Sequence, residues 1–451
     1  MDKTTETLAR YTTSLKFADL PAVTLHETKR RLIDAIACAM GGYSSEPAVI
    51  ARKIASLHSG TPAARVLGSD VTSSMEKAAF ANTAAIRFLD FNDTYISKGS
   101  GHPSDITGAC LAVADGVSAS GAQTVLAVAT AYEVFAALAD QVALRDAGWD
   151  QGVFVVLGST AAASQLLGLN LEQCAHALAI GVTANIPTRQ TRSGELAMWK
   201  GCATAWAAQA GVAAALLARE GMTGPTAAFE GKDGVFDQVT GKFELGVMGG
   251  AGKAFGIDRT NLKFFPSEYH SQAPSWVALE LRKKVALGDI ESIDVQTYFT
   301  AWSEIGSEPE KWNPQSRETA DHSLPYLLAL ALADGGIKSD SFSEARMRDP
   351  ALKALMNRIR ISENKSFTAR FPNELVTRIE ITTREGKKLE ASAAYPKGHA
   401  KNPMTDADVE SKFHMASEGV LPLARREDLL KLVWNLEQAP NLDTLIDLAR
   451  V

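Results

Sequence analysis

The chain has 451 residues, 46% hydrophobic and 22% charged, with a formal net charge of −6. That length provides for one large core plus a second unit, and the composition is an ordinary globular balance. The mildly acidic total argues against nucleic acid as the main partner, while a local cluster of Lys and Arg can still hold a small anion.

No apolar segment follows Met1-Asp2-Lys3-Thr4-Thr5-Glu6, so no secretory leader is expected. From about Thr24 to Arg219, Ala-rich apolar stretches alternate with short breaks and read as helix after helix. Within 121–145, Val125, Val128, Ala129, Tyr132, Phe135 and Leu138 fall at helical spacing. Glu133 and Asp140 interrupt that stretch, so it does not read as a membrane span. Asn170 and Gln173 form a capping-box pair ahead of an apolar run. Ala203 to Arg219 predicts another helix, stopped by Gly221 and Gly224-Pro225. After about Lys263 the composition shifts. Residues 290–298 alternate as a half-buried strand does, and 376–395 read as two strands turning at Glu385-Gly386. Helical stretches are expected around 322–332 and 351–358, with a terminal helical segment from Thr405. The predicted fold is therefore mainly α with an α+β lid: a large all-helical domain (1–265, with 405–451 returning to it) and an inserted α+β domain (266–404).

Two glycine-bearing segments lack the chemistry they superficially suggest. Gly249-Gly250-Ala251-Gly252-Lys253 has neither the spacing nor the flanks of a phosphate loop and reads as a flexible loop. Gly158-Ser159-Thr160 lacks the nucleophile-elbow pattern. The four cysteines, Cys38, Cys110, Cys174 and Cys202, share no zinc or iron–sulfur spacing. They read as buried free thiols of a reducing cytoplasm.

The densest chemistry lies in Phe88-Leu89-Asp90-Phe91-Asn92-Asp93-Thr94 and Gly101-His102-Pro103-Ser104-Asp105. A carboxylate and an imidazole on neighbouring loops can move protons on and off carbon. Asp90 and Asp93 are three apart, so a helical turn would put both on one face. The plainer reading has Asp90 and Asn92 capping helices and His102 as a loop residue. Arg189, Arg192 and Lys200 gather before an apolar helix expected to start near Leu196, whose positive end would add to an anion site. Exposed surface charges would explain them too. Lys263, Glu268 and His270 cluster where the lid begins, and aromatic neighbours could partly desolvate Lys263. Lys397, His399 and Lys401 bring three potential cations into five residues, suited either to closing over a polycarboxylate or to a basic surface turn. Asp321 and His322 read as mainly structural.

Taken together, these segments resemble the MmgE/PrpD family, the 2-methylcitrate dehydratase group. The resemblance runs from about Arg30 to Phe413. It rests on Phe91-Asn92-Asp93-Thr94, on Gly101-His102-Pro103-Ser104-Asp105, and on Arg189 to Glu195 with Met198-Trp199-Lys200-Gly201. Two further segments complete it: Glu318-Thr319-Ala320-Asp321-His322-Ser323 and Pro396 to Thr405. It implies the helical body with an α+β lid and a homodimer. It also implies dehydration of a 2-methylcitrate-like tricarboxylate, with epimerisation or decarboxylation of a related polycarboxylate as the alternatives. No cofactor and no metal are expected, nor a nucleic-acid or membrane partner, so protein cations must do the electrostatic work. Asp93 is assigned as base and His102 as acid, exchangeably, with Lys200 and Lys263 stabilising negative charge. Thr94, Gln151, Arg192, Glu268, His270, Lys397 and Lys401 are expected to bind substrate, and Trp199 to pack. Two positions depart from relatives: Gln151 stands where several have a histidine, and Glu268 where some decarboxylases have a second one. Gln151 cannot shuttle a proton at neutral pH.

Overall fold

The computed structural model describes residues 1–250 and 252–451. Ala251 lies outside them, and with it part of the expected 249–253 loop. The fold is mainly helical with a small α+β part.

The body is a stack of Ala-rich helices. Ser120 and Gln123 cap Gly121–Ala139 reciprocally, and Asn170 and Gln173 do the same for Leu171–Ala184. Small side chains let the helices approach closely. Gly152–Leu166 crosses Trp199–Arg219 where a Cβ on Gly211 would stand 2.7 Å from both Ser159 Cβ and the Val156 carbonyl oxygen. Gly121–Ala139 and Trp199–Arg219 are long and apolar enough to cross a membrane by length and composition alone. However, 78% and 72% of their most apolar windows are buried. Glu133 is no surface interruption: its carboxylate accepts the backbone N–H groups of Gly249 (2.7 Å) and Gly256 (2.5 Å).

One hydrophobic core runs from Leu8 to Leu262 and resumes from Met404 to Ala449, so both chain ends build the body. The returning Asp406–Ser417 helix, N-capped by Thr405, packs along Ala22–Gly42. A second core, from Phe265 to Ile381, belongs to the lid. Its sheet has the order Ile359–Glu363, Ile290–Thr297, Thr377–Thr383, Lys388–Ala393. The first pair is parallel (Ile293 opposite Ile359) and the others antiparallel (Val295 opposite Ile379, Ile379 opposite Ala391). Thr377–Thr383 alternates buried and half-buried residues, because one face packs on the Gln272–Arg282 helix, which in turn packs on Leu324–Asp334.

The two crossovers between body and lid run side by side. Leu262 N–H donates to the Gly398 carbonyl (2.9 Å) and Ala400 N–H to Asn261 Oδ1 (2.8 Å). Gly398 has φ +94°, and a Cβ there would lie 2.2 Å from the Leu262 carbonyl oxygen, so only glycine fits.

Candidate active site

A cavity of about 410 Å³ lies between body and lid. The body supplies Arg87, Asp90, Thr94, His102, Arg145, Gln151, Arg189 and Arg192; the lid side supplies Glu268, His270, Glu304 and His322, with Lys263 at the crossover.

Asp90 sits at its charged end. The Met75–Phe88 helix ends two residues before it, and Asp90 takes φ +48°, a left-handed conformation that non-glycine residues adopt at a cost of about 1–3 kcal/mol. The turn aims its carboxylate at three cations: Arg87 Nη1 (2.5 Å), Lys263 Nζ (2.5 Å) and Lys200 Nζ (3.3 Å). Burial alone would raise its pKa, but Arg87, Lys200 and Lys263 hold it well below the usual carboxylate range. Lys263 is pushed down by burial, against the pull of Asp90.

Lys200 does not line the cavity. Its ammonium lies one layer behind, 2.8 Å from Asp321 and 3.3 Å from His322 Nδ1. Asp90, Asp321 and His322 have the mutual spacing of a metal-ligand trio among the described residues, but the Lys200 ammonium already contacts all three. His322 was expected to be structural. It lines the cavity, with Nδ1 2.6 Å from Asp321 and a pKa lowered to about 4 by burial and Lys200.

The expectation that Asp90 and Asp93 share a face fails, because the helix has already ended and the chain reverses at Asp90. Asp93 does not line the cavity. Its Oδ1 accepts Ser104 N–H (3.0 Å) and Oγ–H (2.5 Å), and its Oδ2 accepts the Tyr132 hydroxyl (2.7 Å). Burial raises its pKa, with Arg31 4.0 Å away opposing. Both carboxylate oxygens of Asp93, expected as base or acid, are engaged by Ser104 and Tyr132 and do not face the cavity. Its carbonyl instead accepts from His102 Nδ1 (2.6 Å). A carbonyl only accepts, so the ring proton is on Nδ1 and Nε2 is left as an acceptor. Burial, then Arg87 and Lys263, hold the His102 pKa well below the usual histidine value. The ring is thus neutral, with Nε2 as its free acceptor, which fits the base half of the exchangeable Asp93/His102 assignment.

Thr94 Oγ1 lies 3.1 Å from His102 Nδ1, and Gln151 Oε1 accepts the His102 backbone N–H (2.5 Å), so Gln151 fixes the histidine loop. Burial and the neighbouring Glu304 raise the Glu268 pKa to about 8. His270 is lowered to about 3 by burial and Arg145, with Nδ1 2.5 Å from the Tyr298 hydroxyl. At the mouth, Glu304 pairs with Arg145 (3.0 Å) and Arg189 (2.6 Å), and Arg192 pairs with Asp150 (2.5 Å).

Lys397 and Lys401, expected to clamp substrate, lie outside the lining. Lys397 Nζ is paired with Asp408 (2.6 Å), and Lys401 Nζ reaches the Tyr395 hydroxyl (3.3 Å). Trp199, expected to pack rather than to take part in chemistry, is 49% exposed, lies beside Trp206 and is not among the cavity's lining residues. Arg87, Arg145 and Glu304 were missed by sequence reasoning. Arg145 and Glu304 stand in no motif and meet only through the fold, whereas Arg87 could have been found as the i−3 partner of Asp90.

Six basic side chains line the cavity against four acidic ones, and one of the four, Glu268, is protonated at neutral pH. Such a space suits a small polyanion and offers it a neutral base and a neutral acid.

Comparison with known proteins agrees in extent. The MmgE/PrpD N-terminal domain matches residues 6–248 and the MmgE/PrpD C-terminal domain residues 265–438. A 2-methylcitrate dehydratase of Escherichia coli (strain K12) is 27% identical over 405 residues, 83% of each chain. The mitochondrial 2-methylcitrate dehydratase of Yarrowia lipolytica is 28% identical over 457 residues, 95% of this chain and 86% of its own. A cis-aconitate decarboxylase of Homo sapiens is 27% identical over 463 residues, 99% and 94%. With both domains matched in order across nearly the whole sequence, the chain belongs to the MmgE/PrpD family.

Proposed function

We propose that the protein is a cofactor-independent lyase that removes water from a citrate-like polycarboxylate, with 2-methylcitrate giving 2-methyl-cis-aconitate as the first candidate. The observation that carries this reading is one cation-rich cavity lined by both His102, whose Nδ1 is held by the Asp93 carbonyl so that Nε2 is free to accept, and the buried Glu268 carboxyl, whose pKa is raised to about 8. His102 Nε2 takes the proton alpha to a carboxylate. Lys263 and Arg87 stabilise the charge that builds on that carboxylate, with Lys200 supporting them through Asp90. Glu268 gives its proton to the departing hydroxyl, which leaves as water. The names of the similar proteins support a lyase of citrate-like acids.

Citrate, the 2-methylcitrate stereoisomers, cis-aconitate and iminodisuccinate, incubated with chelator and read by product mass and chirality, test the proposal. Loss of water with appearance of a conjugated double bond is the expected result. Activity recovered only on adding iron or zinc would overturn cofactor independence. His102→Gln should fold normally and lose on the order of a hundredfold in turnover. A second neutral imidazole on the cavity, His322, favours epimerisation as the second reading. Products that differ from substrate only in handedness would select it.

A further inference from the structure

Lys412 touches no part of the cavity, yet its surroundings are unusual for a lysine. It lies on the Asp406–Ser417 helix, almost 150 residues after Lys263, and is only 4% exposed. An ammonium has three donors and no acceptor, and burying it with any of them unused is costly. Here Lys412 Nζ donates to the Phe91 carbonyl (2.7 Å) and the Lys263 carbonyl (2.9 Å), and its charge is paired with Asp34 Oδ1 (2.5 Å). The ammonium also sits 3.8 Å from the centre of the Phe91 ring.

The two carbonyls belong to the segments that carry the cavity's charged end. Phe91 follows Asp90, and Lys263 is the cation whose Nζ meets the Asp90 carboxylate at 2.5 Å and the Asp90 carbonyl at 2.8 Å. Lys412, which is not among the cavity's lining residues, therefore ties the two backbones together. Nothing else described links these two peptide groups to one donor. We propose that Lys412 is a positioning residue: by joining the Phe91 and Lys263 carbonyls it holds Lys263 in register with Asp90 and so sets how well the cavity grips a carboxylate. The idea rests on reading Lys263 as an anion-holding group.

The test is calorimetric binding of tricarballylate, a tricarboxylate with no hydroxyl to lose, so the result does not depend on which substrate reacts. Lys412→Met should weaken binding about tenfold or more, since a displacement near 1 Å in a positioned group costs that much or more. In a Lys263→Met background the same change should alter binding by no more than about twofold, because the group it positions is gone. Equal weakening in both backgrounds, or none in either, overturns the proposal. If Lys263→Met alone binds as tightly as the unsubstituted protein, the anion-holding reading itself fails. Weakening by Lys263→Met with none by Lys412→Met defeats only the positioning role. Should Lys412→Met fold poorly, Asp34→Leu with Lys412→Met replaces the buried ion pair by apolar groups, an exchange often neutral for stability. That pair must show the same dependence on Lys263.

Discussion

Asp90 and Asp93 are three residues apart and both buried, yet their pKa values are displaced in opposite directions. Asp90 faces Arg87, Lys200 and Lys263 and is held ionised. Asp93 faces the Tyr132 hydroxyl and the Ser104 donors, with one guanidinium at the limit of ion-pair distance, and burial raises its pKa. The contrast teaches that burial does not decide the state of a carboxylate; the number of close cations does. It also separates two jobs. Asp90 balances charge at the cavity, while Asp93 braces the loop that carries His102.

The contrast breaks most sharply at Asp90. Asp90→Asn removes the anion that Arg87, Lys200 and Lys263 share and leaves the buried Lys263 without its carboxylate partner, so it should cost about 3–5 kcal/mol in urea unfolding, with activity lost. Asp93→Asn removes acceptors from hydroxyl and amide donors and should cost about 1–3 kcal/mol, with the folded fraction still active. Equal costs would mean that the cations matter less than the burial.

Glu268→Gln comes next. The side chain stays polar but can no longer give up a proton, so turnover should fall about a hundredfold. In the unsubstituted protein, kcat/KM should decline as pH rises through about 8, where Glu268 ionises. A pH profile that still declines there in Glu268→Gln would assign the limb to another group.

Stability against pH sharpens the comparison further, with opposite signs for the two aspartates. Asp90 is depressed, so its contribution is present above 3.8 and is lost as pH falls through its folded pKa. Asp93 is raised, so its contribution is full below 3.8 and is lost as pH rises through its folded pKa. His270 and His322, lowered from 6.5 to about 3 and about 4, add loss on the acid side. From pH 6.5 downward the unfolded chain takes up protons that the native state refuses, costing up to about 1.4 kcal/mol per pH unit for each histidine. Urea midpoints across pH 4 to 8 check this, and a flat profile between pH 6.5 and 4 would contradict the neutral imidazoles.

The smallest effect is expected at Lys397. Its pair with Asp408 lies outside the cavity, so Lys397→Met should change stability by less than about 1 kcal/mol and leave turnover near normal.

Most of the architecture was legible in the chain. The capping pair at 170–173, the alternation at 290–297 and the turn at 385–386 are local signals that tertiary packing left intact. The segments that line the cavity were legible too. The choice between Asp90 and Asp93 was not, because it depends on where a helix stops and on one positive φ, and helical spacing predicts neither. Lys397 and Lys401 misled for a related reason. A cation-rich turn suggests a ligand, but each lysine finds a nearer partner in Asp408 or Tyr395. Glu304 with Arg145 and Arg189 was invisible, since only the docking of lid on body brings them together.

The crossovers at Leu262 and Gly398 leave the body as hydrogen-bonded neighbours. An inserted unit whose two ends already touch asks little loop-closure entropy of its host, whatever its own length. The lid is thus built as an exchangeable cassette. The body keeps His102, Asp90 and Lys263, while Glu268, Glu304 and His322 travel with the insert. Swapping 266–396 with the matching segment of another family member should therefore exchange Glu268, Glu304 and His322 while leaving His102, Asp90 and Lys263 in place.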